Sequence, residues 1–327
     1  ELWDANVFPV TFGGDHSVAY PIMKALAEKH DGKIGIIHLD AHFDNMDHFG
    51  EHKFARCSPL RRTYELPGLD PKNIVSVALM PCTAKKFECN RPEMKASGFQ
   101  DVDFALTTRE LAKMMHESGL DLPKLPKTAF DDPFETPTGS GVIFGATGGV
   151  MEAALRTVIE LVTGKKVEDF YAHADIVPVR GFEGIRLLEI PITEVGPVPE
   201  LLQHLFSDFE WLKGVTLRVA VAHGTVNIRK VMEDIKIGGL FSSCHFIEMM
   251  ACPGGCLGGG GQPIPTSPEI RAKRAKAIYS EDASYAIRKS HENPQVLQIY
   301  HEFLKDGPCG HKAHALLHTT YTPRSKQ

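Results

Sequence analysis

The stretch Cys252-Pro-Gly-Gly-Cys256-Leu-Gly-Gly-Gly-Gly261 constrains this chain more than any other, because six of its ten residues are glycine and two are cysteine. So much glycine costs too much backbone entropy to form a helix or a packed strand, so the segment is a loop shaped by its neighbours. Two thiols four positions apart, wrapped in glycine, suit a soft metal centre. Thiolates bind iron well, and glycine lets backbone amides come close to cluster sulfurs. The bare pair is equally consistent with two thiols in a flexible loop, and zinc and redox sites also use close cysteine pairs. A phosphate cradle is disfavoured, since no Gly-Lys-Ser/Thr follows the glycines.

A further thiol lies in Met80-Pro-Cys82-Thr-Ala-Lys85-Lys86-Phe-Glu88, directly after an apolar, β-branched run at residues 74–79. A lysine near an anionic cluster offsets its charge and can donate to a bound ligand. The plainer alternative is a structural cysteine at a strand end, with the lysines on a solvated helix face. The chain has 7 cysteines, an odd number in 327 residues, which is too long to need disulfide staples. Thiolate chemistry in a reducing, anaerobic compartment fits better. The 16 histidines are scattered and decide nothing. With 43% hydrophobic residues the chain can bury a core, and a net charge of −5 gives no broad field for nucleic acid or an anionic membrane. No apolar run reaches the roughly 18 residues of a membrane span. A soluble chain is therefore expected, in the cytoplasm or, if a targeting segment preceding Glu1 has been lost, in an organelle such as a plastid or hydrogenosome.

Hydrophobic patterning indicates an α/β class, with mixed or parallel sheets flanked by helices. Strands are expected at 33–39, 74–79, 217–222 and 246–250, and helices at 22–30, 107–116, 148–161 and 226–235. Residues 275–304 read as polar and mostly helical. The proline-rich stretch 191–199, with the segment that follows it, reads as a surface insertion.

On these motifs the region from about residue 72 to 323 resembles the catalytic domain of iron-iron hydrogenases. Met80 to Glu88 is similar to that family's second cluster motif and Glu248 to Pro263 to its third. Arg91-Pro-Glu-Met94, Leu106-Thr-Thr-Arg-Glu-Leu111, Asp131-Asp-Pro133, residues 142–156 and Arg218-Val-Ala-Val-Ala-His-Gly-Thr225 follow in the family's order. The tail, Arg288-Lys-Ser-His-Glu-Asn-Pro294 and Gly310-His-Lys-Ala-His314, resembles its small-subunit end. The resemblance implies cluster-binding lobes and an H-cluster, made of a four-iron four-sulfur cubane and a two-iron subcluster, that reversibly reduces protons to dihydrogen. By the same resemblance Cys82, Cys252 and Cys256 ligate the cubane, and Cys256 also bridges to the subcluster. Lys85 contacts a cyanide on it, Met80 and Met250 line the pocket, and Glu88 lies near a proton path. Electrons come from ferredoxin or a similar external carrier, for which the basic residues 273–276 offer either a docking patch or a solvated helix face. The family's first cysteine motif, Thr-Ser-Cys-x-Pro, has no clear counterpart here; Cys57, before Ser58 and Pro59, is the candidate substitute ligand.

Residues 1–72 read differently. Gly13-Gly-Asp-His16-Ser17 and His38-Leu-Asp40-Ala-His42-Phe-Asp44 resemble the ureohydrolases, the family of arginase and agmatinase, as do Ser58-Pro-Leu-Arg-Arg62 and Gly68-Leu-Asp-Pro-Lys72. That likeness implies part of a two-manganese site at His16, Asp40, His42 and Asp44. The expectation is an N-terminal α/β fragment at 1–72 joined to a hydrogenase-like region at 73–327, by natural fusion, engineered chimera or faulty gene assembly. The readings carried forward are a hydrogenase homologue impaired by a missing ligand, a manganese ureohydrolase, and an iron-sulfur protein with no hydrogen chemistry. Oligomeric state is left open.

Overall fold

The β-branched run Ile74-Val-Ser-Val-Ala forms a strand because such side chains pack well on a pleated surface. In the computed structural model, which describes residues 19–30, 36–38, 74–95, 100–126, 137–165, 179–305 and 307–323, the chain divides into two compact units. The first takes residues 1–79, 85–106 and 114–136, and the second residues 80–84, 107–113 and 137–327.

The first unit holds α1 (Ala19–Lys29), β1 (Ile36–His38), β2 (Ile74–Met80, up to Leu79), α2 (Lys85–Glu88) and most of β3 (Phe104–Thr107). The sheet order is β1-β2-β3, and β1 runs parallel to β2 with Ile36 opposite Ile74. Asp103 fixes its segment against β2: its carboxylate accepts from the Ser76 N–H at 2.7 Å, and its own N–H donates to the Ser76 carbonyl at 2.9 Å. Helix α3 (Thr108–Glu117) starts on a reciprocal cap. Glu110 accepts from the Thr107 N–H at 2.8 Å, while Thr107 Oγ1 accepts from the Glu110 N–H at 3.2 Å.

The second unit contains α4 (Gly139–Ile143), α5 (Gly149–Thr163), β4 (Ile185–Pro191), β5 (Thr216–His223), α6 (Thr225–Lys236), β6 (Phe246–Met250), α7 (Pro268–Ser284), α8 (Pro294–Gln298) and α9 (His311–Leu317). Its sheet is mixed, as the sequence leads one to expect: β5 is central, antiparallel to β4 and parallel to β6. Residues 219–223 of β5 are buried without alternation, the pattern of a strand covered on both faces. Met151 and Leu155 of α5 pack on Leu188 and Ile190 of β4 and Val219 and Val221 of β5, which makes the core. Among the described residues no helix is long and apolar enough to cross a membrane.

Helix α7 begins at Pro268 rather than near residue 275, because Ser267 caps it and proline is preorganised for a first turn. Ser267 Oγ accepts from the Ile270 N–H at 3.2 Å. Ser267→Ala should lower unfolding stability by about 1 kcal/mol, read from urea titration.

Candidate metal centre

Three cysteines reach the second unit on two segments whose backbones touch. Cys82 follows β2 directly and lies between Pro81 and Thr83. The Pro81 carbonyl accepts from the Gly261 N–H at 3.3 Å, and a Cβ placed on Gly260 would stand 3.0 Å from Thr83 Oγ1. A Cβ on Gly259 would land on the Pro81 carbonyl oxygen. The Gly259 N–H in turn donates to the Cys256 carbonyl at 3.0 Å, so one glycine joins the turn of Cys256 to the segment of Cys82. Glycine is needed here for close backbone approach, the property its sequence position announces.

Cys252 and Cys256 sit on the loop leaving β6. The turn between them runs through Gly254 and Gly255 at φ +82° and +81°, and the Gly255 N–H donates to the Cys252 carbonyl at 3.0 Å. The loop is pinned all along. Leu257 N–H donates to the Gly145 carbonyl at 3.1 Å, Arg274 donates to the carbonyls of Leu257 and Pro263, and Arg109 Nη2 donates to the Gly260 carbonyl at 2.8 Å. Cys82, Cys252 and Cys256 are thiols, each half-buried. Met80 and Met250 are half-buried too, and Met250 Sδ is 2.7 Å from where a Cβ on Gly255 would be.

Beneath the loop lie groups the motif reading passes over. Glu248 is buried at the N-terminus of α5, where its carboxylate accepts from the N–H groups of Gly148 at 2.6 Å and Met151 at 2.8 Å. Burial pushes its pKa up, and these donors offset part of that. Arg186 of β4 is buried beside it, donating to the carbonyls of Val179 and Gly181 and to Thr147 Oγ1, while its Nε has no partner. Burial lowers the Arg186 pKa, opposed by the Glu248 charge. His223 ends β5 with its Nδ1 accepting from the Gly254 N–H at 3.1 Å. Farther in, Arg156 and Glu152 of α5 form a buried ionic group with Asp282 of α7, joined by Arg180 and Arg288. Arg180 also lies over the Tyr279 ring, 3.8 Å from its centre.

Lys85 and Glu88 belong to the first unit, where they pair at 2.6 Å on the surface of α2. Cys57, His16, Asp40, His42 and Asp44 lie outside the described residues. Cys89 is buried with its thiol donating to the Lys86 carbonyl at 3.3 Å, Cys244 is half-buried and Cys309 exposed.

Among the described residues no three His, Cys, Asp or Glu side chains converge in a way that would hold a single metal ion. A cubane makes a different demand, since each of its thiolates binds a separate iron. Three thiols on touching segments, in a loop where added Cβ atoms would collide with backbone, fit that demand.

Two family models match the chain: iron only hydrogenase large subunit, C-terminal domain, over residues 53–260, and iron hydrogenase small subunit over residues 268–324. The NADP-reducing hydrogenase subunit HndD of Solidesulfovibrio fructosivorans is 41% identical over 270 residues, which are 82% of this chain and 41% of that protein. A cytosolic Fe-S cluster assembly factor, narfl of Xenopus tropicalis, is 29% identical over 77% of this chain and 48% of its own length. A solved HydA1 hydrogenase variant from Chlamydomonas reinhardtii superposes with a TM-score of 0.59 at 38% identity, covering 78% of this chain and 64% of that one. The chain thus spans less than half the length of these sequence relatives. These findings point to iron-sulfur proteins and do not support manganese, a ureohydrolase or a chimera. The large-subunit match begins at residue 53, so Ser58 to Arg62 and Gly68 to Lys72 fall inside it. Such short runs of Ser, Pro, Gly and Asp are turn formers used by many folds, so they carry little family information.

Proposed function

The chain belongs to the iron-only hydrogenase family, and on that premise we propose that its second unit holds a four-iron four-sulfur cluster on Cys82, Cys252 and Cys256. The observation that carries the proposal is the Gly259 contact, which ties the Cys82 segment to the turn of Cys256. In this reading a two-iron group attaches at Cys256. When bound, the cubane supplies one-electron transfer and the two-iron group proton reduction.

The chain's own part is to bind, orient and exclude water. The glycines let the backbone turn tightly between and after the thiols, and Met80 and Met250 give the site an apolar wall. Lys85, three residues after Cys82 and paired with the Glu88 carboxylate, supplies a cation and N–H donors within the Cys82 motif. Electrons come from an external one-electron carrier, with Lys273 and Lys276 of α7 as exposed cations for its acidic face.

A second reading is a cluster-binding protein without hydrogen turnover, as likeness to an iron-sulfur assembly factor suggests. It is favoured by the absence of the family's first cysteine motif. Anaerobic reconstitution with ferrous iron and sulfide, followed by maturation with the two-iron group, separates the two. Carbonyl and cyanide infrared bands with hydrogen evolution support the first reading. A stable cubane with neither supports the second, and no bound iron at all defeats both. Cys256→Ala should abolish hydrogen evolution and lower the iron retained, whereas exposed Cys309→Ser should change neither.

A further inference from the structure

We infer that His223 is a positioning residue that sets the relative placement of the Cys252 and Cys256 thiolates by fixing the peptide between them. The inference rests on the reading of those cysteines as cluster ligands.

His223 is the last residue of the central strand β5, paired in register with Met250, the last residue of β6. The imidazole is buried, 7% exposed, and bonded at both ring nitrogens. Nδ1 accepts from the Gly254 N–H at 3.1 Å, and Nε2 is 3.2 Å from the Phe182 carbonyl oxygen. An accepting Nδ1 leaves Nε2 as the proton carrier, so the second bond selects the tautomer that the first needs. Burial pulls the imidazole pKa below 6.5, the Phe182 carbonyl opposes this, and the charges of Arg186 and Arg271 add to the lowering. The ring is therefore a neutral acceptor at pH 7.

Gly254 is held from its other side as well. Its carbonyl accepts from the Thr147 N–H at 3.1 Å, and Thr147 Oγ1 is bonded to buried Arg186 at 2.9 Å. Gly254 sits at φ +82°, and a Cβ there would lie 3.1 Å from Phe182 Cε1 and from Arg271 Cδ. Gly254, midway between the two cysteines, is thus clamped at both its N–H and its C=O by residues from elsewhere in the unit. Without the imidazole the Gly254 N–H loses this acceptor, and the turn that carries both thiols loses one of its two clamps. Hydrogen bonds to cluster sulfur change its reduction potential.

The test uses the whole chain, reconstituted anaerobically with ferrous iron and sulfide, as wild type, His223→Leu and His223→Asn. Asparagine places an oxygen acceptor at the same bond distance from the backbone as Nδ1. His223→Leu should lose iron to a ferrous chelator about tenfold faster, the scale of removing an outer hydrogen bond from a metal site. Its cluster potential, read by electron paramagnetic resonance titration, should shift from wild type, and His223→Asn should restore both values. Equal chelation rates and potentials for wild type and a folded His223→Leu overturn the inference. If His223→Leu fails to fold, amide exchange of wild-type apo protein decides. A protected Gly254 N–H supports the clamp and a fast-exchanging one overturns it. A wild-type chain that takes up no cluster defeats the cluster reading, and this inference with it, before any variant is compared.

Discussion

Gly259→Ala is expected to weaken cluster binding severely while leaving most of the unit folded. The added Cβ would fall on the Pro81 carbonyl oxygen and stand 3.0 Å from the Cys256 carbonyl oxygen. Both obstacles are backbone, so no side chain can swing away; the Pro81 and Gly259 segments must separate. That displacement moves Cys82 relative to Cys256, the spacing a rigid cluster cannot tolerate. A loss of about ten- to a hundredfold in cluster affinity is expected, the range for disrupted support of metal ligands. The control is Gly141→Ala, where a Cβ meets only Thr138 Oγ1, at an ordinary 3.7 Å. Iron and acid-labile sulfide per chain after reconstitution are the readout. Wild-type iron retention by a folded Gly259→Ala protein would remove the contact on which the proposed function stands.

That contact was half legible in the sequence. The six glycines announce that something comes close, and the cysteines announce what the closeness serves. What approaches them is a strand end far earlier in the chain, at Pro81, and only the family resemblance connects the two. Elements with a clean period were readable: β6 is found at the residues expected, and α5 and α6 agree to within two residues. Strand β4 was not anticipated. Its inward positions are Arg186, Leu188 and Ile190, and an arginine at an inward position hides the alternation that marks a half-buried strand. Arg186 can face inward because carbonyls and Thr147 satisfy most of its donors, a fact of tertiary structure with no local signature. His223 and Glu248 lie within the family-like motifs, but their partners, Gly254 and the start of α5, lie far away in sequence.

The buried ionic group is wholly invisible to periodicity, and it predicts a large stability effect. Asp282 and Glu152 are both fully buried, Arg156 is 1% exposed, and Arg156 Nη1 and Nη2 bond the two Asp282 oxygens at 2.7 and 2.8 Å. Arg288 Nη2 adds a bond to Asp282 at 2.7 Å, so α5, α7 and the segment after α7 meet on one carboxylate. Since α5 also presents its N-terminus to Glu248, loosening this junction also loosens the support under the cysteine loop. Asp282→Ala leaves three guanidinium groups, those of Arg156, Arg180 and Arg288, short of a partner, the first of them almost wholly desolvated, and should cost about 3–5 kcal/mol. Against a usual total of about 5–15 kcal/mol that is a large share, worth on the order of 10 °C in melting temperature. The acid limb gives a second check. Burial alone would raise the Asp282 pKa, but the hydrogen bonds and charges of Arg156 and Arg288 outweigh it and hold the group below 3.8. A carboxyl depressed by folding binds fewer protons in the native state, so its stabilisation is present above pH 3.8 and is lost as pH falls through the native pKa. Wild type should therefore destabilise more steeply than Asp282→Ala as pH falls below that value, measured by parallel urea titrations. Parallel acid limbs, or a variant that melts with wild type at pH 7, would show that the three elements are held together by apolar packing alone.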